Sequence, residues 1–275
     1  MGELFAPPAG APLVAIDGPS GVGKSTAARG LARHLGARYL DTGAMFRAVA
    51  WWCQASGVDL DDAPAVAAVA AATPLEMGQD PAAPYVRVDG KDVSAAIRDN
   101  QISTVVSKVA TNLEVRAHLA ALQRSLIEAA VASGQGIVAE GRDITTKIAA
   151  DAPVRILLVA NPEARLERRA LEVLGAAGQS EREAIRDAVV RRDADDSTVS
   201  NFSTAADGVV TLDNSTFVPA QTLAAVIDIT ADVYPRFARP PIGRGRVLGA
   251  WAATSSTPAP PGGPQPLTLQ ELSYD

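Results

Sequence analysis

A glycine-rich loop between a short apolar run and a helical pattern constrains this chain more than any other feature. Residues 13–17 predict a buried strand, and residues 24–35 place small and apolar side chains at helical spacing before Gly36, a typical C-cap. The loop between them has the spacing of a phosphate-binding loop. Its residues are Gly18, Pro19, Ser20, Gly21, Val22, Gly23, Lys24, Ser25 and Thr26. Backbone N–H groups of such a loop hold nucleotide phosphates, the lysine reaches the β and γ phosphates, and the Ser25 hydroxyl is the predicted Mg²⁺ ligand.

Three further apolar runs predict strands of the same sheet. Residues 136–139, 154–160 and 209–212 are too short for helices and lie between longer helical patterns. Asn161-Pro162-Glu163 predicts the start of a helix after the second of these runs. The alternation predicts an α/β fold with a doubly wound parallel sheet flanked by helices.

Two regions depart from this alternation. Residues 58–98 combine an Ala-rich piece with alternating residues around Asp89-Gly90, a hairpin signal, and predict a small inserted subdomain. The segment 239–275 is rich in Pro, Gly, Ser and Thr, and we expect a disordered tail there. We expect a flexible N-terminus over 1–11 and one folded domain over 12–238.

Composition excludes several classes of function. One cysteine, Cys53, and two histidines, His34 and His118, weigh against a disulfide framework, a zinc cluster and a Cys/His nucleophile pair. A net charge of −6 weighs against nucleic acid as a partner. We expect no membrane partner, since no apolar run approaches the length needed to cross a bilayer, and a cytoplasmic location.

Arginines near predicted strand ends indicate a second anion site. Arg47 follows a predicted second strand and Arg142 follows the strand after residue 136. Ligands of open α/β sheets bind at the carboxyl ends of the strands. Arg165, Arg168 and Arg169 share one helical face by their spacing, which adds further positive charge to the candidate site.

Several motifs in order resemble those of bacterial cytidylate kinases, within the nucleoside monophosphate kinase group. The resemblance covers roughly residues 13–236 and includes Ile16-Asp17-Gly18-Pro19-Ser20-Gly21, residues 40–47 (Leu-Asp-Thr-Gly-Ala-Met-Phe-Arg), Glu140-Gly141-Arg142-Asp143-Ile144 and Arg192-Asp193 before Asp196-Ser197-Thr198. It implies a P-loop kinase fold, a parallel sheet flanked by helices, with a small inserted monophosphate-binding domain over 58–98 and a mobile lid over about 165–206. It also implies a monomer that transfers the γ-phosphoryl group of ATP to CMP and dCMP with Mg²⁺.

The resemblance also implies roles for individual residues. Phosphoryl transfer would be assisted by Lys24, Arg142, Arg165 and Arg169. The substrate would be bound at the phosphate by Thr42, Arg47 and Arg142, with the Phe46 ring beside them, at the cytosine by Ser107, Arg116 and Asp143, and at the ribose by Arg192 and Asp196. Asp143 should discriminate against UMP, because uracil offers a carbonyl where a carboxylate needs a donor.

Three departures from the family pattern lower the expected affinity for CMP. Phe46 stands where the family often has Tyr, Thr145-Thr146 replaces Gly-Thr, and a lid arginine after Thr198 is missing. We therefore expect weaker CMP binding than in typical relatives. Two alternatives stay open from the sequence: a P-loop kinase for another small acceptor, and a nucleotide-binding switch or degenerate binding module with weak catalysis.

Overall fold

The computed structural model describes residues 10–174, 193–195 and 197–239. Within them the strands are β1 Leu13–Asp17, β2 Arg38–Asp41, β3 Leu75–Met77, β4 Val86–Val88, β5 Lys91–Asp92, β6 Ile137–Gly141, β7 Val154–Val159 and β8 Val210–Asp213. The α-helices are α1 Lys24–Leu35, α2 Thr42–Ala55, α3 Ala63–Ala72, α4 Asn100–Ala110, α5 Leu113–Ala132, α6 Pro162–Leu174 and α7 Pro219–Val233. A π-helical turn spans Ile144–Ile148, and short 3₁₀ turns span Ala96–Arg98 and Pro235–Phe237.

The central sheet has five parallel strands in the order β2-β6-β1-β7-β8. β1 is completely buried, and alternate residues face opposite cores. Leu13 packs with α2 and α5, whereas Ile16 packs with α1 and α7. Helices therefore cover both faces, as burial of every β1 residue requires. The predicted α/β fold, with a parallel sheet flanked by helices, is confirmed.

A second sheet of three antiparallel strands, in the order β3-β4-β5, lies within the predicted insert. Asp89 and Gly90 both have positive φ, 50° and 72°, which is the backbone that the tight hairpin between β4 and β5 needs. Val86 and Val88 pack against α2. The insert's role in binding a monophosphate stays a prediction.

Helix ends follow the predicted signals. Gly36 adopts the left-handed conformation after α1, and its N–H donates to carbonyls of the last turn. The Asn161 side chain accepts a hydrogen bond from the Ala164 N–H at 2.8 Å and caps α6.

In the part of the chain that the structure describes, no helix combines the length and apolar character that crossing a bilayer requires.

The described chain reaches both predicted domain boundaries. Ala11, the last residue of the segment expected to be flexible, is buried. Arg239 Nε donates to Asp228 Oδ1 at 2.7 Å. The remainder of the two predicted terminal segments, residues 1–9 and 240–275, lies outside the described residues, as do 175–192 and Asp196 within the predicted lid.

Candidate active site

The glycine-rich loop closes around the ammonium group of Lys24. Lys24 Nζ donates to the carbonyl oxygens of Gly18 and Pro19 at 2.7 and 2.9 Å. Burial, and then the positive charge of Arg142, lower the pKa of Lys24 to about 8. The ammonium is thus held at the N-terminus of α1, where the helix dipole favours an anion.

Two loop glycines are required by close backbone contacts. A Cβ at Gly18 would lie 2.1 Å from the carbonyl oxygen of Leu158 in β7. Gly21 has φ +78°, and a Cβ there would lie 2.7 Å from the carbonyl oxygen of Arg165 in α6. The loop is therefore wedged between the sheet and α6, and only glycine fits at these positions.

Two buried carboxylates lie beneath the loop. Asp17 accepts hydrogen bonds from the N–H groups of Ile144 and Thr145 and from the Thr145 hydroxyl, at 2.6 to 3.0 Å. These hydrogen bonds link β1 to the π-helical turn. Burial of the Asp17 carboxyl raises its pKa. Burial, reinforced by nearby Asp41, also raises the pKa of Glu140, which accepts a hydrogen bond from the Tyr39 hydroxyl at 2.6 Å.

Asp193 joins the loop to two of the predicted phosphate-binding arginines. Its Oδ1 accepts from the Ser20 N–H at 3.2 Å and pairs with Arg142 Nη1 at 3.0 Å, and its Oδ2 pairs with Arg165. Arg165 Nε also donates to the Ser20 carbonyl at 2.8 Å. A carboxylate thus contacts a loop N–H and two guanidinium groups, the kind of donors that hold a phosphate.

The predicted acceptor-binding residues form two ion pairs near the carboxyl ends of β2 and β6. Arg47 Nη2 pairs with Asp41 Oδ2 at 2.9 Å. Although burial acts to raise the pKa of Asp41, the Arg47 guanidinium lies so close that this pKa falls below its usual value. Arg116 pairs with Asp143, both side chains being largely buried, and lies 5.7 Å from the centroid of the Phe46 ring. Carboxylates therefore anchor both guanidinium groups, and that of Arg116 also lies beside an aromatic ring.

Two other predicted residues make hydrogen bonds that fix their helices. The Thr42 hydroxyl donates to the Glu140 carbonyl at 2.7 Å and links α2 to β6. Ser107 is half-buried in α4, and its carbonyl accepts from the Thr111 hydroxyl at 2.8 Å.

The donor loop and the predicted acceptor arginine meet at one atom. Arg142 Nη1 donates to the Gly18 carbonyl oxygen at 3.1 Å, the same oxygen that accepts from Lys24. Lys24 and Arg142 therefore lie at one sheet edge, as the carboxyl ends of neighbouring strands β1 and β6 predict.

Some of the expected residues contact other parts of the fold or lie outside the described part. Arg168 donates to the Asn214 and Phe217 carbonyls at 2.7 and 3.2 Å and to the Val22 carbonyl at 3.5 Å, so it links the loop after β8 to the glycine-rich loop, and its contribution to the anion site stays a prediction. Arg192, Asp196 and the side chain of Arg169 lie outside the described residues.

Other residues at the site were not singled out from the sequence. Asn214 is buried, and its Nδ2 donates to the Val22 carbonyl at 2.9 Å, so it supports the loop from β8. Phe202 is buried with its ring 4.3 Å from Arg142 Cζ. Among these additional residues, Asp193 is the one that a sequence motif indicates, since it follows Arg192 in one of the motifs given above.

Comparison with known proteins agrees with this geometry. A sequence model of the family described as cytidylate kinase matches residues 14–232. The chain is 44% identical over 221 residues to a cytidylate kinase of Streptomyces avermitilis, covering 80% of this chain and 93% of the relative. It is 46% identical over 219 residues to a cytidylate kinase of Cutibacterium acnes, covering 79% and 95%. It is also 41% identical over 232 residues to a bifunctional pantoate ligase/cytidylate kinase of Synechococcus, covering 81% of this chain and 44% of that relative. The phosphate loop, the ion-paired arginines and these matches together make the chain a member of the cytidylate kinase family.

Proposed function

We propose that this protein transfers the γ-phosphoryl group of ATP to CMP and dCMP, with ADP and the cytidine diphosphates as products. The observation that carries the proposal is the shared Gly18 carbonyl, to which Lys24 and Arg142 both donate. A cation of the donor loop and an arginine beside the acceptor residues therefore lie within one hydrogen-bonded group, as transfer between two bound phosphates requires.

On the donor side, the loop N–H groups and Lys24 bind the triphosphate. Lys24 leaves the Gly18 and Pro19 carbonyls for phosphate oxygens, which are stronger acceptors because they are charged. Asp193 then gives up the Ser20 N–H, and Arg142 and Arg165 become available to the transferring group. Three cations around that group stabilise the charge on its oxygens.

On the acceptor side, the Arg116–Asp143 pair recognises the cytosine ring. Asp143 accepts from the exocyclic amine, and the guanidinium of Arg116 donates to a ring acceptor. A uracil ring offers a carbonyl to the carboxylate, so the pair selects against UMP. Ser107 assists at the base, while Thr42, Arg47 and Arg142 hold the monophosphate beside the Phe46 ring.

The transfer itself needs no protein nucleophile. An oxygen of the CMP phosphate forms a bond to the γ-phosphorus as the bond from that phosphorus to the β,γ-bridging oxygen breaks, and the electron pair stays on ADP. Most of the acceptor phosphate is dianionic at pH 7, since its second pKa is about 6, so no general base is required.

The residues fit a magnesium ion held together with substrate phosphates. Mg²⁺ commonly takes only one or two oxygen ligands from the protein and the rest from phosphates and water. Within the described ranges there is no group of three acidic, His or Cys side chains that would hold a metal alone. The Ser25 hydroxyl, an exposed oxygen ligand beside Glu140, would hold it, and the bound ion would neutralise charge on the β and γ phosphates.

The remaining assignments of the proposal follow from the same contacts. We assign residues 58–98 to monophosphate binding, since their strands pack on the helix that carries Phe46 and Arg47. We assign 165–206 to a lid, since Arg165 and Asp193 both contact Ser20. A cytoplasmic monomer is the expected state.

A coupled assay of ADP release tests the proposal across CMP, dCMP, UMP and AMP. We expect the two cytidine nucleotides to give the highest kcat/KM, with a KM for CMP above that of the Streptomyces avermitilis relative assayed in parallel. Preference for UMP or AMP, or ATP binding without transfer, would contradict the proposed reaction.

A further inference from the structure

The segment 199–207, which includes the end of the predicted lid and leads towards β8, is attached to the π-helical turn at both ends. Lys147 Nζ donates to the Val199 carbonyl at 2.9 Å. At the other end, Arg155 Nη2 donates to the Asp207 carbonyl at 2.9 Å, while its Nη1 donates to the Thr145 carbonyl at 3.2 Å. Residues 199–207 are therefore fixed against the turn that directly follows Arg142 and Asp143.

Phe202 lies in the middle of this attached segment and beneath Arg142. The Phe202 side chain is only 4% exposed, and its ring centroid lies 4.3 Å from Arg142 Cζ. At that distance the face of a benzene ring attracts a guanidinium group, and the attraction grows when water is excluded. The side chain of Arg142 is itself only 16% exposed, so the pair is largely shielded from water.

Three different surfaces then fix the orientation of Arg142. The Phe202 ring lies against it at 4.3 Å, the Gly18 carbonyl accepts from Nη1, and Asp193 pairs with Nη1. Of these, the carboxylate and the carbonyl compete with a phosphate for the guanidinium N–H groups. The ring does not compete in this way, because it has no carbonyl or carboxylate oxygen and attracts the guanidinium through its aromatic face.

We infer that Phe202 is a positioning residue for Arg142 and sets the affinity for the acceptor phosphate. The inference rests on the proposed function, in which Arg142 binds that phosphate. The Phe202 ring maintains the orientation of Arg142 after a bound triphosphate has displaced Asp193.

The experiment compares Phe202→Leu, Phe202→Met and Phe202→Tyr with the unmodified protein. Leu and Met keep an apolar side chain but remove the aromatic face, whereas Tyr keeps it. We expect the first two variants to raise the KM for CMP by about three- to thirtyfold, the range of a shielded cation–π contact. We expect a smaller change in their KM for ATP. The KM for CMP of Phe202→Tyr should stay within about twofold of that of the unmodified protein.

Thermal unfolding of each variant separates positioning from packing. A lower Tm with an unchanged KM for CMP in the Leu and Met variants would overturn the inference, as would an equal rise in the Tyr variant. If the Leu variant does not fold, the Met variant decides the question, and direct CMP binding by calorimetry replaces kinetics if turnover is slow. Failure of the unmodified protein to phosphorylate CMP would instead refute the proposed function, so the two failures are distinguishable.

Discussion

Replacing Lys24 by methionine should change the pH dependence of folding stability as well as activity. Lys24 has an ordinary pKa of 10.5 when the chain is unfolded and about 8 in the folded protein. Between these values the unfolded chain binds more protons than the native one. Stability therefore rises with pH in this window, because the cost of enclosing a charged ammonium disappears as the group loses its proton.

The magnitude follows from the two pKa values. At pH 9 the unfolded chain holds about 0.9 more protons on this group than the native protein, which corresponds to a slope of about 1 kcal/mol per pH unit. From pH 8 to pH 10 the unmodified protein should gain up to about 2 kcal/mol relative to Lys24→Met. This is an upper limit, because Lys24 is only partly buried and its ammonium keeps some solvation.

Urea unfolding at pH 8, 9 and 10 gives the free energy of unfolding of the unmodified protein and of Lys24→Met. The difference between the two values reports on Lys24, because the titration of all other groups contributes equally to both proteins. Lys91→Met, which removes an exposed lysine from the β4–β5 hairpin, is the matched control. Stability curves for Lys24→Met and the unmodified protein that stay parallel from pH 8 to 10 would refute the reasoning. From pH 8 to pH 10 the KM for ATP of the unmodified enzyme should rise, because neutral Lys24 no longer attracts phosphate. The kcat should stay constant in this range, because bound phosphates raise the pKa of Lys24 and keep it charged.

Three further substitutions test separate parts of the site. Asp143→Asn should lower kcat/KM for CMP by about 10- to 100-fold and lower it less for UMP, because a charged acceptor is lost; an unchanged CMP/UMP ratio in the ADP assay would contradict the cytosine assignment. Gly21→Ala should raise the KM for ATP by about tenfold or more, since its Cβ would lie 2.7 Å from the Arg165 carbonyl oxygen; calorimetry showing unaltered ATP affinity would exclude the predicted clash. Asn214→Ala should cost about 1–3 kcal/mol in urea unfolding, because buried partners such as the Val22 carbonyl lose a donor; an unshifted midpoint would show that the contact is replaced.

Local features of the fold were predictable where short segments carry the information. The loop at residues 18–26, the strand runs, the Asp89-Gly90 turn and the Asn161 cap each depend on residues that are neighbours in the chain. Their backbone conformations follow from side-chain chemistry within a few positions. The convergence of Lys24 and Arg142 was also predictable, because parallel strands end at the same edge.

The remaining contacts depend on packing between distant segments. Asp193 reaches Ser20 across 173 positions, and Asn214 reaches Val22 across 192. Neither contact is encoded by a period or a motif. Arg168 shows the limit of face-sharing arguments. It lies one turn from Arg165 on α6, but its guanidinium donates to the Asn214 and Phe217 carbonyls after β8 as well as to the Val22 carbonyl of the glycine-rich loop. Periodicity predicts a face but not the element that packs on it.

With the binding roles proposed for Lys24 and Arg142, the single carbonyl oxygen of Gly18 makes the two substrates thermodynamically dependent on one another. When a triphosphate draws Lys24 away, Arg142 is the one of the two side chains that still donates to the Gly18 oxygen. When a monophosphate draws Arg142 away, Lys24 is the one that still donates. Each nucleotide thus alters the environment that the other encounters. By reciprocity of binding free energies, whatever factor ATP imposes on the dissociation constant of CMP, CMP imposes on that of ATP.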